Sequence, residues 1–138
     1  MDKSQLEQKI TKALDENKFC TFATIEGDKP KARYMALFHE GLSLYLATDR
    51  KTHKVEELEN NPHVFLLAGF EAGGTKEVLE IQGMASITKN DELRQKVWND
   101  DFKEWLEGPD DPDYVVLDIE PYRIEYTAPG QQREVWEK

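Results

Sequence analysis

The chain predicts a mainly β fold with flanking helices, in which six or seven antiparallel strands close, or nearly close, into a barrel. Two observations carry this expectation. Short apolar, β-branched and aromatic runs recur along the chain, most of them separated by tight turns, and few segments show helical periodicity. Several of these strands are also apolar on both faces. One face suits a barrel interior, and the other needs a cover from a helix or a second subunit.

Taken in order, Ser4 followed by Glu7 has the capping-box pattern, and Leu6, Ile10, Ala13 and Leu14 fall at helical spacing, which predicts an amphipathic helix over Ser4–Glu16. Phe19–Glu26 reads as the first strand, Gly27-Asp28-Lys29-Pro30 as a turn, and Lys31–His39 as the second strand. Glu40-Gly41 turns into a third strand, Leu42–Thr48, which completes a meander. A short helix over Lys54–Asn60 ends before Asn61-Pro62. His63–Phe70 is a fourth strand, and Ala72-Gly73-Gly74-Thr75 a flexible loop. Val78–Thr88 is a fifth strand, in which Gly83 signals a bulge or a close approach. Asn90 is placed to cap a helix through Leu93, Val97 and Trp98 that continues irregularly through Phe102, Trp105 and Leu106. The turn Gly108–Asp113 leads to two last strands, Tyr114–Ile119 and Tyr122–Tyr126, around Pro121, and then a short tail. A single domain over residues 1–138 is expected.

Charge narrows the classes of function. Eighteen Lys and Arg against 28 Asp and Glu give a net charge of -10, which argues against a general binder of nucleic acid or of anionic membrane. A local cationic cluster can still hold a small anion. The single cysteine, Cys20, excludes an internal disulfide and a thiolate metal cage; within Phe19–Ala23 it reads as a buried structural thiol. The N-terminal residues lack a signal-peptide pattern and no apolar stretch reaches membrane-spanning length, so a soluble cytoplasmic domain is expected.

The cluster lies at one strand-to-helix turn, Ala47-Thr48-Asp49-Arg50-Lys51-Thr52-His53-Lys54. Free backbone N–H groups, the positive end of a helix dipole and cationic side chains converge there, as binding of a phosphate requires. Such a charge run otherwise only solvates a turn. Arg33 alternates with Met35 and Leu37 on an otherwise apolar strand face, where a cation needs an anionic partner, either a ligand or a carboxylate. His39 and His63 lie at strand ends without metal-site spacing. Asp110, Asp111 and Asp113 lack the ligand order of an EF-hand and read as a plain turn. Trp98, Phe102 and Trp105 read as core or subunit packing, with a role beside a ligand as the lesser alternative.

Together, Ala23–Pro30, Ala32-Arg33-Tyr34-Met35, Leu44–Thr48, Thr52-His53-Lys54, Leu58–Val64 and Gln82-Gly83-Met84-Ala85 resemble the pyridoxamine 5'-phosphate oxidase-like family of FMN-binding split β-barrels. Trp98, Trp105 and Gly108–Asp113 are similar to the general stress protein 26 branch, and the likeness spans residues 5–127. The resemblance implies a homodimer with FMN at the subunit interface and a redox partner of unknown identity. It also implies that Arg33 and Lys54 hold the FMN phosphate, that Ala47, Thr48 and Thr52 line the cofactor, and that the backbone of Tyr34, Met35 and Ala36 runs beside the isoalloxazine ring. His53 occupies a position that is arginine in the oxidases and is a further candidate. No catalytic side chain and no metal are implied, because the flavin carries the redox chemistry.

The chain departs from the true oxidases where those enzymes grip the vitamin. Thr127 follows Glu125-Tyr126 where they have tryptophan, Val135 replaces the histidine two residues beyond Arg133, Glu137 replaces an arginine, and Val78 replaces a glutamine. Vitamin B6 oxidation is therefore not expected. The resemblance favours a flavin-dependent oxidoreductase of the general stress protein type. Its alternatives are a flavin-binding stress protein without turnover and a split barrel that holds a deazaflavin cofactor or haem.

Overall fold

The computed structural model describes residues 2–70 and 74–138, with His53 described by its backbone alone. Helix α1 (Lys3–Glu16) is followed by β1 (Phe19–Glu26), β2 (Lys29–Ala36), β3 (Phe38–Glu40), β4 (Ser43–Asp49), α2 (His53–Asn60), β5 (His63–Gly69) and β6 (Val78–Thr88). Helix α3 (Asp91–Val97), a 3-10 turn (Asp100–Glu104), β7 (Tyr114–Thr127) and β8 (Glu134–Glu137) complete the chain. The strands form one antiparallel sheet in the order β2-β1-β5-β6-β7-β4-β3, with β8 beside β7.

That order explains how the sheet curls into a split barrel. Strands β2 and β3 are consecutive in the chain yet lie at opposite ends of the sheet path. Leu37 marks the crossing, where its N–H donates to the Lys18 carbonyl at 2.9 Å. The expected single strand over Lys31–His39 is therefore two strands belonging to the two halves of the barrel. The hairpin turn is Gly27-Asp28 alone, and Pro30 sits inside β2, tolerated because β2 is an edge strand.

Other boundaries shift for local reasons. Asp2 caps α1, its Oδ1 accepting from the Gln5 N–H at 2.8 Å, so the helix begins one residue earlier than the Ser4 pattern implied. Asn90 caps α3 as expected, accepting from the Leu93 N–H at 3.1 Å. The two expected final strands are one, β7, which passes through Pro121 because the pairing slips there: Gln82 faces Arg123, whereas Gly83 faces Pro121, leaving Tyr122 as the extra residue. Gly83 permits this close approach. A Cβ at Gly83 would lie 2.9 Å from the Glu120 carbonyl oxygen and 3.0 Å from Ile119 Cγ2. The expected C-terminal tail forms β8 instead, and Trp136 buries its ring against the core. Ala72 and Gly73 of the expected loop lie outside the described residues.

Alternation along the strands fills the barrel with Phe22, Leu46, Leu66, Ile81, Leu117 and Ile124, sealed by Ile10 and Leu14 of α1. A second cluster, which includes Tyr45, Val97, Phe102, Leu106 and Tyr114, covers the outer face of β4 and β7 beneath α3 and the 3-10 turn. Trp98 packs edge-on against Phe102 and Tyr114 in this layer. Among the described residues the outer face of β2, β1 and β5 has no such cover. Tyr34 and Leu67 both face Thr21 on it, and with Phe19 they are exposed, Tyr34 to 86%. Among the described residues no helix is long and apolar enough to cross a membrane.

Candidate functional site

The cationic turn connects β4 to α2, which packs against β1 and β6. Helix α2 closes this region, with Val55 and Leu58 buried and Glu56 and Glu59 turned to solvent. Thr52 is its N-cap, in extended conformation (φ -79, ψ 156), and its N–H donates to the Asp49 carbonyl at 3.0 Å. A capping threonine ordinarily accepts a hydrogen bond from a first-turn N–H. Among the described residues Thr52 makes no such bond, and its buried Oγ1 has no hydrogen-bond partner.

Arg33 approaches from β2. It lies opposite Phe22 in the strand pairing, so its side chain points into the barrel end, with the guanidinium 5.7 Å from the centroid of the Phe22 ring. A cation so placed needs an anion, and Glu57 of α2 is at hand. Arg33 Nη1 donates to Thr24 Oγ1 at 2.8 Å, Arg33 Nη2 donates to Glu57 Oε2 at 3.3 Å, and the Thr24 hydroxyl donates to the same Oε2 at 2.7 Å. Only 5% of the Glu57 side chain is exposed. Burial pushes its carboxyl pKa up, but the Thr24 hydrogen bond and the Arg33 charge together bring it below the usual value, so the group is ionised. Lys31 Nζ stands 3.9 Å from the second oxygen, Oε1, which has no hydrogen-bond partner among the described residues. Arg33 Nε has no acceptor among the described residues.

Lys54, in the first turn of α2, completes the cluster. Its pKa is lowered, first by burial and then by the positive charge of Arg33, while Glu57 partly offsets both. A partly desolvated lysine beside an arginine is a site where an anion would relieve two unfavourable terms at once.

Arg50 and Lys51 behave differently. Arg50 Nε donates to Asp113 Oδ1 at 2.8 Å, and Lys51 Nζ lies 3.0 Å from Asp113 Oδ2. These two cations hold the aspartate-rich turn before β7 and hold the Asp113 carboxyl below its ordinary pKa. Asp111 accepts from the backbone N–H groups of Glu107 and Asp113, which makes this segment a self-bonded turn.

Ala47 and Thr48 are buried on β4, opposite Val116 and Val115. Met35 packs against the core, Ala36 borders the layer beneath α3, and Tyr34 points to the uncovered outer face. The His53 side chain lies outside the described residues. Strand β2 pairs with β1 along one edge only, so backbone groups on its other edge between Arg33 and Ala36 have no strand partner. Sequence reasoning missed Thr24 and Glu57. Glu57 stands three residues after Lys54, one turn on along the same helix face, which was the available signal.

The remaining polar candidates are structural. His39 bonds Asp15 and the Gly41 carbonyl, and His63 contacts the Tyr122 hydroxyl. Cys20 is buried, its thiol pKa pushed up to about 12 by burial. Among the described residues no group of three or more His, Cys, Asp or Glu side chains could hold a metal ion.

The sequence pattern of the pyridoxamine 5'-phosphate oxidase family matches residues 6–128, almost the whole of the curled sheet and the cation cluster it carries. The chain belongs to this family. Within it, the chain is 39% identical over 136 residues to General stress protein 26 of Bacillus subtilis (strain 168), covering 98% of this chain and 97% of that protein. The solved structure of General Stress Protein 26 from Bacillus anthracis str. Sterne superposes with a TM-score of 0.86 at 36% identity, covering 97% of this chain and 99% of that one. A pyridoxamine 5'-phosphate oxidase-related, FMN binding protein from Nostoc punctiforme PCC 73102 has a TM-score of 0.76 at 14% identity over 100% of this chain and 93% of that one; this likeness shows the fold alone. The match to the oxidase family thus extends across the general stress protein type, as the sequence resemblance implied.

Proposed function

We propose that this protein binds FMN at the barrel split and works as a flavin-dependent oxidoreductase of the general stress protein type. The observation that carries this reading is the buried Thr52 Oγ1 at the α2 N-terminus, without a hydrogen-bond partner among the described residues, in the same turn as Lys54, whose partly desolvated charge is opposed by that of Arg33. A hydroxyl donor, a helix N-terminus and two cations match the nearly two negative charges of a phosphate monoester at neutral pH. The unpaired edge of β2 from Arg33 to Ala36 offers backbone donors and acceptors to the polar rim of an isoalloxazine ring, and the buried Ala47 and Thr48 flank the turn. FMN would supply hydride or electron transfer there, while the chain holds and orients it.

Proposed with it is a homodimer formed on the uncovered outer face. Phe19, Tyr34 and Leu67 border a hollow of about 340 Å³ on that face, and large exposed apolar side chains so grouped mark a contact surface. Vitamin B6 oxidation is not proposed: Val135 stands on β8 opposite Glu125, where it offers no hydrogen bond to a pyridine substrate.

Titrating apo-protein with FMN, FAD, a deazaflavin and haem tests the reading. Saturable FMN binding at micromolar concentration is expected, tighter than for the others. Tighter binding of haem or deazaflavin, or no FMN binding in this range, would overturn it.

A further inference from the structure

Glu57 is the one member of the cluster that a phosphate should repel, yet it is among the most buried charged side chains of the chain. Two roles compete for it. As an internal counter-ion it would occupy Arg33 and oppose an incoming phosphate; as an anchor it would fix Arg33 for that phosphate.

The hydrogen-bond pattern decides between them. Glu57 Oε2 and Thr24 Oγ1 both engage the terminal edge of the guanidinium, through Nη2 and Nη1. The Thr24 hydroxyl gives its proton to Oε2, so it must accept from Arg33, and the three groups form a closed triangle with one arrangement of protons. The side-on edge of the guanidinium, Nε with the second hydrogen of Nη2, has no acceptor among the described residues. A guanidinium presents two such forks, and one held by a buried carboxylate leaves the other aimed and rigid.

We propose that Glu57, with Thr24, is the positioning residue of the clamp: it grips Arg33 by its terminal edge so that the side-on edge is presented to the phosphate of the cofactor. The proposal rests on the FMN reading above and deepens it. Glu57 also favours the protonated form of Lys54, against burial and the Arg33 charge.

The test compares FMN and riboflavin affinities, followed by flavin fluorescence, in the wild type, Glu57→Ala, Glu57→Gln, Thr24→Val, Arg33→Ala and the Arg33→Ala/Glu57→Ala pair. Glu57→Ala is expected to weaken FMN binding at least about tenfold, as loss of an ordered charge-assisted contact implies, and to leave riboflavin binding unchanged. That loss should vanish when Arg33 is already alanine. Glu57→Gln keeps an acceptor for Arg33 and should fall closer to the wild type at neutral pH, with its FMN affinity declining at lower alkaline pH. Thr24→Val, which cannot form the triangle, should reproduce the Arg33-dependent loss even if Glu57→Ala does not fold. FMN binding by Glu57→Ala as tight as the wild type, or a loss that persists without Arg33, overturns the proposal. A wild type that prefers FMN to riboflavin while Glu57→Ala matches it overturns this proposal alone. A wild type with no such preference overturns the phosphate reading as well.

Discussion

Arg50 Nε donates to Asp113 Oδ1 at 2.8 Å, so the arginine at the tip of the cationic turn is engaged with the chain's own carboxylate. The turn therefore divides into two halves with different tasks. Arg50 and Lys51 fasten it to the segment before β7, while Lys54 lies within the electrostatic reach of Arg33 and Glu57.

That difference predicts unequal losses. Arg33→Ala and Lys54→Ala should each weaken FMN binding by about 10- to 100-fold, the range that a charge-assisted hydrogen bond implies. Arg50→Ala, with half its side chain in solvent, should change affinity by less than about twofold, as exposed ion pairs contribute little. Fluorescence titration measures all three. Equal losses would indicate diffuse electrostatics in place of a clamp.

FMN affinity should depend on pH with two limbs. Below about pH 6 the phosphate becomes a monoanion and binding weakens. On the alkaline side Lys54, its pKa lowered by burial and by Arg33, loses its proton before an ordinary lysine would, so affinity falls as pH rises through that depressed value. Bound phosphate favours the charged lysine, so binding takes up protons in this range. Lys54→Arg should remove the alkaline limb. An unchanged limb in that variant would contradict the assignment.

Gly83→Ala should cost about 1–3 kcal/mol of stability, the usual range for overpacking. The added methyl would meet backbone and Ile119 across the pairing slip, neither of which is the free end of a flexible chain. Urea unfolding of the variant and the wild type checks this, and a difference below about 0.5 kcal/mol, the scale of an ordinary surface change, would contradict it.

Leu67→Glu and Tyr34→Glu should weaken self-association at least about tenfold by placing a charge in the middle of an apolar contact. Sedimentation of the wild type should report twice the 16.0 kDa of the chain. A wild-type monomer at micromolar concentration would remove the proposed homodimer and leave the outer face unexplained.

Much of this architecture is legible in the sequence, because strand alternation, turn residues and the Asn90 cap act locally. β1, β4, β5 and β6 lie close to where their apolar runs place them. The misses are tertiary in origin. Nothing local breaks the strand at Leu37; the break follows from the N–H of Leu37 turning to Lys18. β8 is four residues long and becomes a strand only because β7 offers its edge and the core accepts Trp136. At the site, Arg50, Lys51 and Lys54 are legible as a charge cluster. Glu57 is not, because its partners Thr24 and Arg33 are 33 and 24 positions away and meet only when the barrel curls.

A crystal structure of the FMN complex locates the phosphate directly. The phosphate is expected within hydrogen-bonding reach of Thr52 Oγ1, Lys54 Nζ and the side-on edge of Arg33, with the Arg50–Asp113 pair intact. A phosphate held by Arg50 and Lys51, or a flavin bound with its phosphate in open solvent, would contradict it.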